Sequence, residues 1–243
     1  MILFAAISVF FASLIKGITA FGFNLIAVAA LISFLSPKLL VPVITLLSVT
    51  SSCYMLVGLI HHIEIRRILP LLLGAAAGIP LGVFGLVILR PEILKILIGL
   101  VVVTFALLFA TGYRKEIRNE TPAFLLAGFI SGILGGSTSL GGVPVILFFI
   151  NQDCDKLTFR ANLTLFYVMH GTLSFLGYLA GNLITGEVIQ YYLLLLIPLT
   201  LGIVAGMKLV HKVNQTLFRQ IALLILILSG VASIYTGLKA ILP

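Results

Sequence analysis

The chain has 243 residues, of which 61% are apolar and only 9% charged, with a formal net charge of +8. A soluble domain carries about 25% charge, so that class is excluded, and with it soluble catalysis and nucleic-acid binding. Basic loops at a membrane surface account for the positive balance.

In chain order, residues 2–15 and 21–35 read as two short apolar segments joined by the turn K-G-I-T-A-F-G. At about 15 residues, each gives about 22 Å of helix, short of the about 30 Å hydrocarbon core. The opening M-I-L-F-A-A-I-S-V-F-F has no basic leader, so no cleaved signal is expected. Span A follows at 39–60, then the polar loop H-H-I-E-I-R-R. Span B, 68–89, carries Gly74, Gly78, Gly82 and Gly85 at a spacing suited to close helix packing. Span C covers 93–111. The polar stretch G-Y-R-K-E-I-R-N-E-T-P then divides the chain into a first membrane repeat (1–112), a connecting loop (113–122) and a second repeat (123–243).

In the second half, short segments at 123–134 and 143–150 flank S-G-I-L-G-G-S-T-S-L-G-G-V-P, residues 131–144. Each mid-helix Gly costs about 1 kcal/mol relative to Ala and Pro about 3, so this composition predicts a helix break. Backbone freed by a break is tolerated in a bilayer only where protein buries it or it lines a cavity. The stretch K-G-I-T-A-F-G-F-N at 16–24 is a second such place. Paired broken segments in two halves point to a transporter binding site. Spans D (157–179), E (189–210) and F (217–238) complete the chain.

The halves repeat weakly. An offset of 124 lays G-I-P-L-G (78–82) on G-I-V-A-G (202–206) and Lys95 on Arg219. An offset of 118 lays Lys38 and Leu39 on Lys156 and Leu157, and Ser52 on His170. If each broken segment is a hairpin returning to its own side, Arg66, Arg67, Arg114, Lys115, Arg118, Lys156, Arg160, Lys208, Lys212 and Arg219 share one face. Lys38, Arg90, Lys95 and Lys239 take the other; with Lys16 set aside the split is ten against four. Were the broken segments to cross, it would be six against eight. The positive-inside rule favours hairpins. The expected fold is an all-α polytopic membrane protein of two inverted repeats, each a broken-helix hairpin plus three transmembrane helices. Both termini lie outside, and short loops suit a bacterial inner membrane.

All seven acidic residues fall in loops or at span ends, whereas cation carriers and proton pumps keep Asp or Glu in the membrane. Lys16, hydroxyl clusters and exposed helix ends favour a small anion instead. The candidate binding residues are Lys16, Gly17, Thr19, Gly22 and Asn24 at the first break, and Gly136, Ser137, Thr138, Ser139, Gly141 and Gly142 at the second. Lys16 either snorkels or lines the site. Asn24 and the Ser137–Ser139 run either cap helices or touch ligand. Thr50, Ser51 and Ser52 either bond back to their own helix or line a path. Arg160 and Asn162 sit at the start of span D; Arg160 is an anchor or a gate, and Asn162 is counted with the pathway. His170 is either packed or a proton carrier, with protons then the coupling ion. Cys53 and Cys154 have no disulfide or zinc spacing; no metal and no cofactor is expected. The partners expected are a small anion and the lipid bilayer, with no nucleic acid, in a monomer or homodimer.

Three stretches resemble the TauE/SafE sulfite-exporter family: K-G-I-T-A-F-G-F-N-L-I-A-V; H-I-E-I-R-R-I-L-P-L-L-L-G-A-A-A-G-I-P-L-G; and G-I-L-G-G-S-T-S-L-G-G-V-P-V-I-L followed by F-R-A-N-L. The likeness runs over essentially the whole chain, in order. It implies a permease for sulfite, sulfonates or related sulfur-containing anions. The chain departs from the family at Ala29–Ala30, where a proline is frequent, and in F-G-F-N, which replaces a glycine run. The rival readings are an anion channel, an intramembrane serine hydrolase using Ser137 or Ser139 with His170, and a membrane scaffold. The hydrolase lacks a G-x-S-x-G elbow.

Overall fold

The computed structural model describes residues 2–111, 120–150 and 156–209, together with isolated positions between 231 and 241. Most of span F and most of the connecting loop lie outside the described residues. Those described are helical, with no strand among them.

Helix α1 spans Ile2–Thr19, and α2, Phe23–Leu31, is half its length. Sequence composition places Lys16, Gly17 and Thr19 in a break; instead they continue α1, and the break is only Ala20, Phe21 and Gly22. Helix α3 covers Pro37–Leu56 and a short 3-10 turn covers Ile60–His62. Next come α4 (Ile65–Ile88) and α5 (Pro91–Thr111). Helix α6, Glu120–Thr138, runs through Gly132, Gly135 and Gly136, so the second break is confined to Ser139–Gly141, before α7 at Gly142–Ile150. Helices α8 (Lys156–Ala180) and α9 (Gly186–Leu209) follow.

The glycines fail to break α6 because packing outweighs their propensity cost. Helix α4 lies against α6 so closely that a Cβ on Gly78 would strike the Phe129 carbonyl, and one on Gly82 the Ile133 carbonyl. From the other side a Cβ on Gly132 would strike Ala75, and one on Gly136 would sit 2.8 Å from the Ile79 oxygen. Helices α1 and α9 meet in the same way: Gly202 against Phe10, Gly206 against Leu14, and Gly17 against Ile203, where a Cβ would sit 2.7 Å from the carbonyl oxygen. Small residues that let backbones approach are what holds helices together where lipid removes the hydrophobic drive. Gly85 does not share this role; a Cβ there would meet only the Leu89 side chain of its own helix, at 3.8 Å.

Five helices among the described residues (α1, α3, α4, α8 and α9) are long and apolar enough to cross a membrane. Leu69, Leu73, Leu81 and Phe84 of α4, and Leu193, Ile197 and Leu201 of α9, are exposed, as suits faces toward hydrocarbon. The chain is a multi-pass membrane protein. Helix α3 is its hub: 61% of its spanning window is buried against 28% for α9, and it packs on α2, α8 and α9.

Polar side chains close the helix ends. Thr185 Oγ1 accepts from the Val188 amide at 3.3 Å, an N-cap for α9. Lys38 Nζ donates to the Val87 carbonyl at 2.7 Å, near the end of α4. The Glu64 amide, at the head of α4, donates to Asn162 Oδ1 at 2.8 Å.

Candidate functional site

The two helix breaks meet. Asn24 Nδ2, one residue into α2, donates to the Ser139 carbonyl at 2.7 Å and to its Oγ at 3.1 Å. Ser139 has a left-handed backbone with φ 63, as has Ala20 in the first break with φ 70. Each break opens with the same hydroxyl device. Thr19 Oγ1 accepts from the Phe21 amide at 3.2 Å, and Thr138 Oγ1 from the Leu140 amide at 3.2 Å. The left-handed residue then bonds back: the Ala20 amide to Lys16 at 2.7 Å and the Ser139 amide to Gly135 at 2.9 Å. A single left-handed residue with a 5→1 bond is how a helix ends without leaving its last carbonyls unmet.

Around this junction lies a cavity lined by Asn24, Thr45, Ser48, Gly135, Ser139, Gly141, Gly142, Tyr167, His170 and Gly171. It has room for about one water molecule. A smaller space beside it adds Gly22 and Leu140. Of the residues singled out from sequence, the fold brings Asn24, Ser139, Gly141, Gly142 and His170 to the cavity wall, with Gly22 next to them.

The others stand apart. Ser137 Oγ bonds back to Ile133 at 2.7 Å, and Gly17 and Gly136 serve helix packing. Thr19 and Thr138 close their own helix ends. Arg160 is half-buried and donates from Nη2 to Gly17 at 3.1 Å and from Nη1 to Ile18 at 3.3 Å, answering the last carbonyls of α1. Asn162 caps α4 as above.

Lys16 is buried to 1% exposure and lies directly behind the cavity. Its three Nζ hydrogens are shared among four acceptors: the Ser48 carbonyl (2.9 Å) and Oγ of Ser48 (3.2 Å), Ser51 (2.9 Å) and Ser52 (2.7 Å). It also stands 5.0 Å from the Tyr167 ring centre and 5.7 Å from that of Phe23, within cation–π range. Among the described residues no carboxylate pairs with it. Ser51 and Ser52 therefore hold Lys16 and do not line the cavity; Ser51 also bonds back to Leu47 at 2.9 Å. Thr50 turns away to the Tyr192 hydroxyl at 2.9 Å.

His170 fills a notch left by two glycines. A Cβ on Gly135 would strike its ring, and one on Gly141 would sit 2.7 Å from Nε2. Nε2 faces the Ser131 carbonyl at 3.3 Å, and Ser131 Oγ in turn donates to Gly141. The Phe166 ring lies 5.2 Å away. Neither Ser137 nor Ser139 hydrogen-bonds to His170: Ser139 Oγ pairs with Thr45 at 3.0 Å.

The chemistry on offer is that of hydrogen-bond donors. Helices α2 and α7 both start at the cavity, and helix starts carry amides without intrahelical partners; α2 has no side-chain cap. By contrast, carbonyls near the ends of α1 and α6 are engaged, by Arg160 and by the Tyr178 hydroxyl on Gly135 at 3.1 Å. No carboxylate lines the cavity. Thr45, Ser48 and Tyr167 are lining residues that sequence reading passes over. The signal for them is a polar stripe at helical spacing: Thr45, Ser48, Ser51 and Ser52 on α3, with Tyr167, His170, Ser174 and Tyr178 on α8.

A family model described as sulfite exporter TauE/SafE matches residues 5–233. No curated protein and no solved structure matches the chain.

Proposed function

The chain belongs to the sulfite exporter TauE/SafE family of membrane transporters, and from that premise we propose that it is a secondary carrier of sulfite, sulfonates or a similar sulfur-containing anion. It works by alternating access, with the anion held where the two helix breaks meet. The observation that carries this reading is the Asn24–Ser139 contact, which joins breaks 115 residues apart beside a donor-rich cavity without carboxylates. Converging broken helices near the midplane are the way membrane carriers present backbone donors to an anion.

Two inverted repeats are part of the proposal, and two kinds of contact support them. First, α1 and α6 correspond at an offset of 119, and α4 and α9 at 124. Under these offsets the packing of Gly17 on Ile203, Gly206 and Met207 becomes that of Gly136 on Ile79, Gly82 and Val83. Gly202 on Phe10 becomes Gly78 on Phe129 by the same shifts. Second, the Glu64–Asn162 bond brings the head of α4 beside the first turns of α8. If each break were a full crossing, those two ends would lie on opposite membrane faces. If each is a hairpin, they share one face, and the two halves run in opposite senses. The basic loops favour the cytoplasm for that shared face.

A cavity with room for about one water molecule is too small for a four-atom oxyanion. The tips must part to admit substrate, which favours a carrier over an open channel. The test is thermal stabilisation of the purified protein by sulfite, thiosulfate, methanesulfonate, sulfate and acetate. A ligand at 100 times its Kd adds about 2.7 kcal/mol. Stabilisation by a sulfur anion that is lost in Asn24→Leu supports the site; stabilisation by cations or neutral solutes alone overturns it.

A further inference from the structure

We propose that the site is built for a monovalent anion, hydrogensulfite or an alkyl sulfonate rather than a dianion, and that Lys16 delivers its charge to that anion through the Ser48 hydroxyl. This rests on the carrier reading above and adds the charge class of the substrate and one specificity-determining residue.

Lys16 is a buried cation without a carboxylate partner among the described residues. Stranding a charge in that way costs several kcal/mol unless a counter-ion arrives. What surrounds its ammonium is a cage of oxygen acceptors and two aromatic faces. This cage orients the charge and leaves it un-neutralised. Ser51 sends its own hydrogen back into α3, to the Leu47 and Ser48 carbonyls. Ser48 differs. Its Oγ shares the Lys16 hydrogens at 3.2 Å, it lines the cavity, and among the described residues its hydroxyl donates to no protein acceptor. A hydroxyl that accepts from an ammonium is a stronger donor on its other side, since linked hydrogen bonds polarise one another. Ser48 thus presents to the cavity a proton strengthened by Lys16.

The charge count follows from the same neighbourhood. The helix starts of α2 and α7 supply donors and only partial charge. Arg160 is turned to the Gly17 and Ile18 carbonyls, and neither of these residues lines the cavity, whereas Lys16 reaches the lining residue Ser48. His170, facing a carbonyl through Nε2, needs only its neutral form. Lys16 is then the cation coupled to the cavity wall, and binding of one negative charge would stabilise its charged form.

The test uses the full chain in proteoliposomes and two tetrahedral sulfur anions of similar size and fixed charge: methanesulfonate, with one negative charge, and sulfate, with two. Wild type should carry methanesulfonate with at least about tenfold preference over sulfate. Ser48→Ala should raise its half-saturation concentration about tenfold or more, the loss of one charge-assisted hydrogen bond. Ser48→Thr, which keeps the hydroxyl, should restore it. Equal or better transport of sulfate, or an unchanged Ser48→Ala, overturns the inference while leaving the carrier reading intact. If Ser48→Ala does not fold, the wild-type preference between the two anions decides. If wild type carries no sulfur anion at all, both readings fall.

Discussion

Asn24 and His170 make different demands on the junction. Asn24 contributes a cross-link between breaks through one amide group. Asn24→Leu keeps the volume and removes the bonds, so it should cost only about 1 kcal/mol in stability. Its transport should fall far more, by at least about tenfold. Thermal unfolding beside flux measurements checks the contrast; equal small losses in both would make Asn24 merely structural. His170 fills the notch between Gly135 and Gly141. His170→Ala should therefore destabilise by about 2–4 kcal/mol through the cavity it leaves. His170→Gln is the informative change. If His170 carries the coupling proton, the variant stays folded and its transport no longer responds to a pH gradient. A folded variant that still responds removes that role.

Among the elements, the paired glycine seams hold the bundle. Gly78→Val and Gly202→Val, at matching places in the α4–α6 and α1–α9 seams, should each push two backbones apart. Each should lose about 1–3 kcal/mol or more. Gly85→Ala and Gly186→Ala, which meet nothing beyond their own helix, should be neutral within about 0.5 kcal/mol. Tm values in detergent rank the four, and a Gly85→Ala loss equal to that of Gly78→Val would contradict the seam. Helix positions were legible from hydropathy, because a bilayer demands long apolar runs: α3, α4, α5, α8 and α9 fall within a few residues of spans A to E. The extent of the breaks was not. Counting glycines treats each as a helix breaker, yet Gly132 and Gly136 lie inside a helix because α4 presses on them. A tighter signal was present: G-I-T-A-F-G at 17–22 and G-S-T-S-L-G at 136–141 share G-x-T-x-x-G. Its Thr and the residue after it form both helix ends. The cavity wall was half legible. Gly-rich breaks announce themselves, whereas Thr45, Ser48 and Tyr167 become neighbours only when α3 and α8 cross; the polar stripe on each helix marks the residues but not their meeting.

For the whole molecule, the proposed hairpin topology specifies which loops share a face. The turn at Ile60–His62 should lie in the cytoplasm and the α4–α5 connection outside. In a cysteine-free background, Glu92→Cys should react with a membrane-impermeant thiol reagent in intact cells, and His62→Cys only after lysis. The reverse pattern would invert the protein; labelling of both in intact cells would break the topology. On that proposal the tips of the two hairpins are the moving parts, since the cavity between them has room for only about one water molecule. The most direct measurement is methanesulfonate counterflow in proteoliposomes carrying Asn24→Cys with Ser139→Cys in a background without native cysteines, the oxidised protein read against the reduced form of the same variant. Oxidation should lock the tips together and stop the counterflow that the reduced variant retains, and reduction should bring it back. Counterflow that continues through the locked tips would contradict an anion passing where the two breaks meet.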